Sequence, residues 1–145
     1  MPLIKSISGI RGTIGGKSGD SLSPVDTVKF TAAYAVWLKQ QTAKQIYTVI
    51  VGRDARISGA FLQQLVMNTL VASGVHVIDL DLSTTPTVEM AVISHNADGG
   101  IIVTASHNPA EWNALKLLNG KGEFLNAADG EQLLATAADE HFNFS

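Results

Sequence analysis

The sequence has no cysteine and only 4 prolines, its aromatic content is 6%, and 16% of its 145 residues are charged. Without thiols there can be neither a disulfide framework nor a thiolate metal site. The 10 Lys and Arg are scattered singly and are outnumbered by 13 Asp and Glu, for a formal net charge of −3. Counterion-release binding needs a basic stripe, so nucleic acid is not an expected partner. No run of about eighteen apolar residues occurs, so no membrane span is expected. The opening Met1-Pro2-Leu3-Ile4-Lys5 lacks the apolar core of a secretion signal. These absences point to a cytoplasmic protein with no membrane partner.

What is present is an alternation of short β-branched runs and longer amphipathic stretches, the pattern of β-α units around a largely parallel sheet. Ser23-Pro24-Val25-Asp26 signals a helix start, with Ser23 as cap, Pro24 at the first helical position and Asp26 near the positive end of the dipole. That helix is predicted to reach about Gln41, with Val25, Val28, Ala32, Ala35 and Lys39 on one side. Strands are predicted over Tyr47–Val51, Val75–Leu80 and Gly100–Thr104. Between them come a helix from Gly59 to Ser73, capped by Ser58 and stopped by Gly74, and a shorter one from Thr87 to Ser94, which Thr87 itself could cap. Asn119-Gly120-Lys121-Gly122 suggests a hairpin between Leu115–Leu118 and Phe124–Leu125, and a last helix is predicted from Ala127 to Ala138. The fold class is therefore α/β: a three-layer αβα domain with a mixed, mostly parallel sheet and a hairpin-like excursion near its carboxyl end. Phe142 and Phe144 so close to the last residue suggest that a further element follows.

In an open α/β sheet, ligands bind beyond the carboxyl ends of the strands, which directs attention to the loops Gly52–Ser58, Asp81–Thr87 and Ala105–Asn113. The third is the richest, because Thr104-Ala105-Ser106-His107-Asn108-Pro109 sets hydroxyl, imidazole and carboxamide groups where an apolar strand ends. A serine hydrolase fits poorly, since Thr104 and Asn108 stand where the strained elbow around Ser106 needs glycine. A nucleotide site fits poorly as well: the glycines at 9, 12, 15 and 16 have the wrong spacing, and no Walker lysine is present. Phosphoryl transfer through a phosphorylated serine needs a carrier hydroxyl, cations for its charge and a proton acceptor, and all three residue types are available. Asp79-Leu80-Asp81 is tempting as a metal pair, but loop or capping duty explains it equally well. His76, His95 and His141 show no ligand spacing.

Taken together, Ser8-Gly9-Ile10-Arg11-Gly12, Gly52-Arg53-Asp54-Ala55-Arg56-Ile57-Ser58-Gly59, Thr85-Pro86-Thr87, and Thr104 to Pro109 followed by Asn113 and Lys116 resemble the motifs of the α-D-phosphohexomutases. That family comprises phosphoglucomutases, phosphomannomutases and phosphoglucosamine mutases. The resemblance implies that Ser106 carries the transferred phosphoryl group and that His107 contacts the phosphate or moves a proton. Lys116 is implied as general base or phosphate contact, and Arg11 as a cation facing the phosphoryl group. Asn108, Arg53, Asp54, Arg56 and Thr87 are supporting residues; for the Arg53–Arg56 loop, bracing by an Asp54–arginine pair outweighs substrate contact. Asn113-Ala114-Leu115-Lys116 departs from the family's Asn-Gly-x-Lys, which puts a glycine-dependent turn before the lysine in doubt.

The resemblance covers only the family's first domain, with residues 1–145 as domain I and domains II–IV expected from the rest of the same polypeptide. It implies Mg²⁺, held by Ser106 through its phosphate and by an Asp-x-Asp-x-Asp loop that this sequence lacks, and a hexose 1,6-bisphosphate activator. The implied activity interconverts hexose 1-phosphate and 6-phosphate, on glucose or mannose phosphate in preference to glucosamine phosphate. The isolated domain is expected to fold without turnover. A non-catalytic module that binds phosphosugar or docks on a partner is the alternative.

Overall fold

The computed structural model describes residues 4–6, 9–13, 22–55, 58–104, 112–140, 142 and 144. Its elements run β1 (Ile4–Ser6), β2 (Gly9–Thr13), α1 (Pro24–Gln41), β3 (Thr48–Arg53), α2 (Gly59–Ala72), β4 (His76–Leu82), α3 (Thr85–Ser94), β5 (Gly99–Val103), β6 (Trp112–Leu118) and α4 (Ala127–Asp139). One 6-stranded sheet has the order β1-β2-β6-β5-β3-β4. In its four-strand body, β5, β3 and β4 run parallel and β6 pairs antiparallel with β5. The β1–β2 ribbon then extends the sheet antiparallel from β6. The predicted α/β architecture with a mixed sheet is thus observed, while the amino-terminal ribbon is an addition to it.

Helices α1, α2 and α4 cover one face, where Phe30, Tyr34, Trp37, Leu62, Val66 and Leu133 pack on Val49, Val51, Ile101, Val103 and Leu115. The short α3 covers part of the other, with Val88, Ala91 and Val92 against Ile50, Ile102 and Leu118. Alternation along β3 and β5 sends successive side chains to the two cores, which is why both strands read as unbroken apolar runs.

The start of α1 is as predicted. Ser23 Oγ accepts the Asp26 N–H at 3.2 Å, the Asp26 carboxylate answers with the Ser23 N–H, and Pro24 opens the helix. Its buried stripe matches the predicted one only in part, at Ala32 and Ala35. Val25 is exposed, and Phe30, Tyr34, Trp37 and Leu38 join them in the core. Packed on the sheet between α2 and α4, α1 is covered on most sides, so no single period of small apolar residues identifies its inner face. Gly74 ends α2 in the left-handed region at φ 80°, as predicted.

Two helix starts differ from expectation. α3 begins at Thr85, with Thr84 as the cap whose side chain accepts the Thr87 N–H. Pro86 therefore sits inside the first turn, where its missing N–H costs nothing. Ser58 occupies the cap position of α2 but makes no capping bond.

The predicted hairpin shrinks to one bridge, Leu118 to Phe124, around a turn with Gly122 at φ 73°. Phe142 packs against the main core, and Phe144 is exposed. At the far end of the sheet, a Cβ on Gly99 would lie 2.0 Å from the Tyr34 hydroxyl, so the close approach requires glycine. That hydroxyl donates to Leu118 O at 2.5 Å, and burial pushes its pKa up, keeping it a neutral donor.

Candidate functional site

Because β3, β4 and β5 are parallel, their carboxyl ends share one edge of the sheet, and antiparallel β6 begins at that same edge. The loops singled out from the sequence leave from this edge. Ser106, His107, Asn108 and Arg56 lie outside the described residues, as does His141. For Arg11 the structure describes the backbone, which stands opposite Ala114 on β6.

The stems of the 105–111 segment are well defined. Past the end of β3, the Asp54 N–H donates to Val103 O at 3.1 Å. Its carboxylate accepts the Thr104 hydroxyl at 2.7 Å, and Thr104 N–H donates to Ala114 O at 3.0 Å. On the returning strand Asn113 is 0% exposed. Its Oδ1 accepts the Ala114 N–H at 2.9 Å, and its Nδ2 donates to Ser58 Oγ at 2.9 Å. That bond is what occupies the hydroxyl of Ser58 in place of a helix cap.

Arg53 is engaged by protein groups on all sides of its fork. Nε donates to Gln63 Oε1 at 3.0 Å, Nη1 to Asp54 O at 3.3 Å, and Nη2 pairs with Asp81 Oδ1 at 3.1 Å. Gln63 passes the link on, donating to Asp79 Oδ1 at 2.7 Å, which also accepts the Asp81 N–H. Asp81 reaches this place through a register shift between β3 and β4 and a left-handed φ of 56°. The two aspartates tempting as a metal pair are therefore tied to Gln63 and Arg53. Among the described residues no three His, Asp or Glu side chains come together as a metal site.

Lys116 is half-buried on an interior strand, opposite Ile102 on β5 and Gly9 on β2. The strand runs straight through Asn113-Ala114-Leu115-Lys116, with no turn before the lysine. Alternation sets Lys116 on the face of Ile102 and Leu118, not on an outer hairpin strand facing solvent. Among the described residues it has no hydrogen-bonding partner. Thr87 is exposed in the first turn of α3, its hydroxyl 2.8 Å from that of Thr84.

The structure thus brings Asp54, Arg53 and the stem residues together and sets Lys116 two positions down the strand from Ala114. Sequence reasoning missed Gln63 as a partner of this edge, and Asn113 and Ser58 as partners of each other. The available signal for Gln63 was a carboxamide beside Leu62 on the apolar side of α2, a position where a buried polar group needs a partner.

The family model described as "Phosphoglucomutase/phosphomannomutase, alpha/beta/alpha domain I" matches residues 3–144. A phosphoglucomutase/phosphomannomutase of Thermococcus kodakarensis is 38% identical over 113 residues, covering 77% of this chain and 25% of its own length. A phosphoglucosamine mutase of Acetivibrio thermocellus is 35% identical over 127 residues, covering 83% of this chain and 28% of its own length. A solved phosphoglucomutase/phosphomannomutase family protein from Burkholderia thailandensis superposes with a TM-score of 0.79 at 26% identity, over 98% of this chain and 32% of that one. The chain spans about a quarter of the length of the curated relatives it matches. The family match runs almost end to end and includes every loop gathered at this sheet edge, so the chain belongs to the phosphoglucomutase/phosphomannomutase family and corresponds to its α/β/α domain I.

Proposed function

We propose that this chain is the phosphoserine-bearing domain of an enzyme that interconverts hexose 1-phosphate and hexose 6-phosphate, domains II–IV being supplied by the rest of the same polypeptide. In the first half-reaction the bond between Ser106 Oγ and phosphorus breaks as the free hydroxyl of the bound hexose phosphate forms a new bond to that phosphorus. The hydroxyl proton passes to a base, for which Lys116 is the candidate, and the departing Ser106 Oγ takes up a proton to become a free hydroxyl. The resulting hexose 1,6-bisphosphate turns over, the Ser106 hydroxyl gives up its proton as its Oγ bonds to the other phosphorus, and the departing sugar oxygen takes a proton up.

The observation that carries this reading is Lys116, a half-buried cation without a protein partner among the described residues, on the strand that receives the Ser106 loop. Arg11 supplies a guanidinium from the neighbouring strand β2, His107 a phosphate contact or proton carrier, and Asn108 and Arg56 further polar contacts. A divalent cation, when bound, neutralises charge on a transferring phosphoryl group. The described residues do not by themselves fit one, so the Mg²⁺ in this proposal takes its carboxylates from the other domains. Phosphorylated hexoses are charged and retained inside cells, which gives the proposal a cytoplasmic setting.

Glucose or mannose phosphate is the favoured substrate, and the likeness to the Acetivibrio phosphoglucosamine mutase favours glucosamine phosphate as the second reading. Mass spectrometry of the complete native polypeptide should find phosphate on the peptide containing Ser106. Ser106→Ala should abolish turnover of all three sugar phosphates when they are assayed in parallel with the matching bisphosphate. An unphosphorylated Ser106 together with an active Ser106→Ala enzyme would overturn the reading.

A further inference from the structure

The segment 105–111 leaves the sheet at Thr104 and rejoins it by Asn113, and each stem is tied by a side chain to the same third piece of chain, residues 54–58. On the outgoing side the tie is Thr104 Oγ1 to the Asp54 carboxylate at 2.7 Å. On the returning side it is Asn113 Nδ2 to Ser58 Oγ at 2.9 Å. Residues 54 and 58 are themselves anchored, Asp54 through its N–H to Val103 O and Ser58 through its carbonyl, which accepts the Leu62 N–H of α2.

Two features mark the second tie as more than packing. Ser58 stands at the cap position of α2, where its hydroxyl would ordinarily serve the helix, yet it accepts from Asn113 instead. Asn113 is wholly buried with both ends of its carboxamide engaged. An apolar side chain could fill the same volume, but only a directional polar pair fixes one arrangement of two separate loops.

We propose that Asn113 and Ser58, acting with Thr104 and Asp54, form a two-point clamp that positions the Ser106 loop, and that Asn113 is the positioning residue that closes it. The inference rests on the phosphoserine reading above. A clamp of this kind acts on the transfer step, because the serine phosphate must meet the sugar hydroxyl in line, and a displacement of about 1 Å costs on the order of 10²-fold in rate. It leaves sugar binding to other groups.

The test uses the complete polypeptide with Ser106 phosphorylated, in a single-turnover measurement of phosphoryl transfer to hexose phosphate. Asn113→Ala and the milder Ser58→Ala should each slow transfer about 10- to 100-fold per folded molecule, with KM for the sugar phosphate held within about threefold. The double variant should be little worse than the worse single one, since both remove the same tie. Asn113→Asp, able to accept from the Ser58 hydroxyl, should recover part of the rate. Unchanged transfer per folded molecule in both single variants, or losses that add fully, would overturn the clamp. If the wild type carries no phosphate on Ser106, the phosphoserine reading fails by itself, and the clamp is decided by amide exchange. Thr104 and Ala114 should then exchange at least about tenfold faster in Asn113→Ala, and unchanged exchange would overturn it.

Discussion

The two ends of the sheet are both tied by polar side chains, but they use them differently. At the amino ends of the parallel strands, each polar group closes structure that is already adjacent. Asp98 accepts the Thr48 N–H at 2.9 Å and pairs with Lys44 at 2.6 Å, while Tyr47 and Tyr34 cap carbonyls of the α1 end and of β6. At the carboxyl ends, side chains join segments from different parts of the chain, Asp54 to Thr104, Ser58 to Asn113 and Arg53 to Asp81, while Arg53 to Gln63 ties β3 to the helix that follows it. One end completes the fold, and the other fixes the relative position of segments the fold would leave independent. Substitutions at the two ends should therefore separate stability from catalysis.

The largest separation is expected at Lys116. Replacing it with Met keeps the aliphatic stem on the Ile102 face but removes the proposed base, so single-turnover phosphoryl transfer in the complete polypeptide should fall about 10²- to 10⁴-fold. The urea midpoint should barely move. A loss of midpoint with transfer intact would instead assign Lys116 to the stabilising end.

Gly99→Ala is the converse. The new methyl would stand 2.0 Å from the Tyr34 hydroxyl and 2.9 Å from the Leu118 carbonyl, and the latter is backbone that cannot swing aside. A cost of about 3 kcal/mol is expected, at the upper end for overpacking, read from urea unfolding of the 145-residue chain. Transfer per folded molecule should be unchanged.

Arg53→Met tests whether the bracing at the carboxyl end also contributes to stability. The side chain is 17% exposed and meets Gln63 and the Asp54 carbonyl away from bulk water, whereas its partner Asp81 is 68% exposed. Loss of the fork should cost about 1–3 kcal/mol, with the Asp81 pair the minor part. Because the fork holds β3 to β4 and α2, transfer should drop with it by only a few-fold, less than for Asn113→Ala.

How much of this was legible in the sequence follows the same division. Local signals were read correctly: the Ser23-Pro24-Asp26 start, the Gly74 stop and the β-branched run through Val49-Ile50-Val51 each depend on residues close in the chain. The order of the four motifs identified the family, and the carboxyl-end rule directed attention to the loops. What was not legible is non-local. Gly9-Ile10-Arg11-Gly12-Thr13 has little intrinsic strand character and becomes β2 by pairing with β6. Ser58 has the chemistry of a cap, and only the approach of Asn113, 55 residues away, reassigns it. The α1 stripe was read only in part, at Ala32 and Ala35, because three neighbours bury that helix, and a period finds a face only when there is one face to find.

The smallest effect is expected at Lys44, and it tests the comparison from the stabilising side. Its ammonium reaches Asp98 at 2.6 Å, but its side chain is 39% exposed, so the pair is partly screened and worth under about 1 kcal/mol. Lys44→Met should lower the urea midpoint slightly at low salt and not measurably at about 1 M salt, where the screening length falls to about 3 Å. Asp98 keeps its bond to the Thr48 N–H in the variant, so the start of β3 remains closed. A large, salt-independent loss would mean that the ion pair organises this end as the clamp is proposed to organise the other, and the two ends would then differ in degree and not in kind.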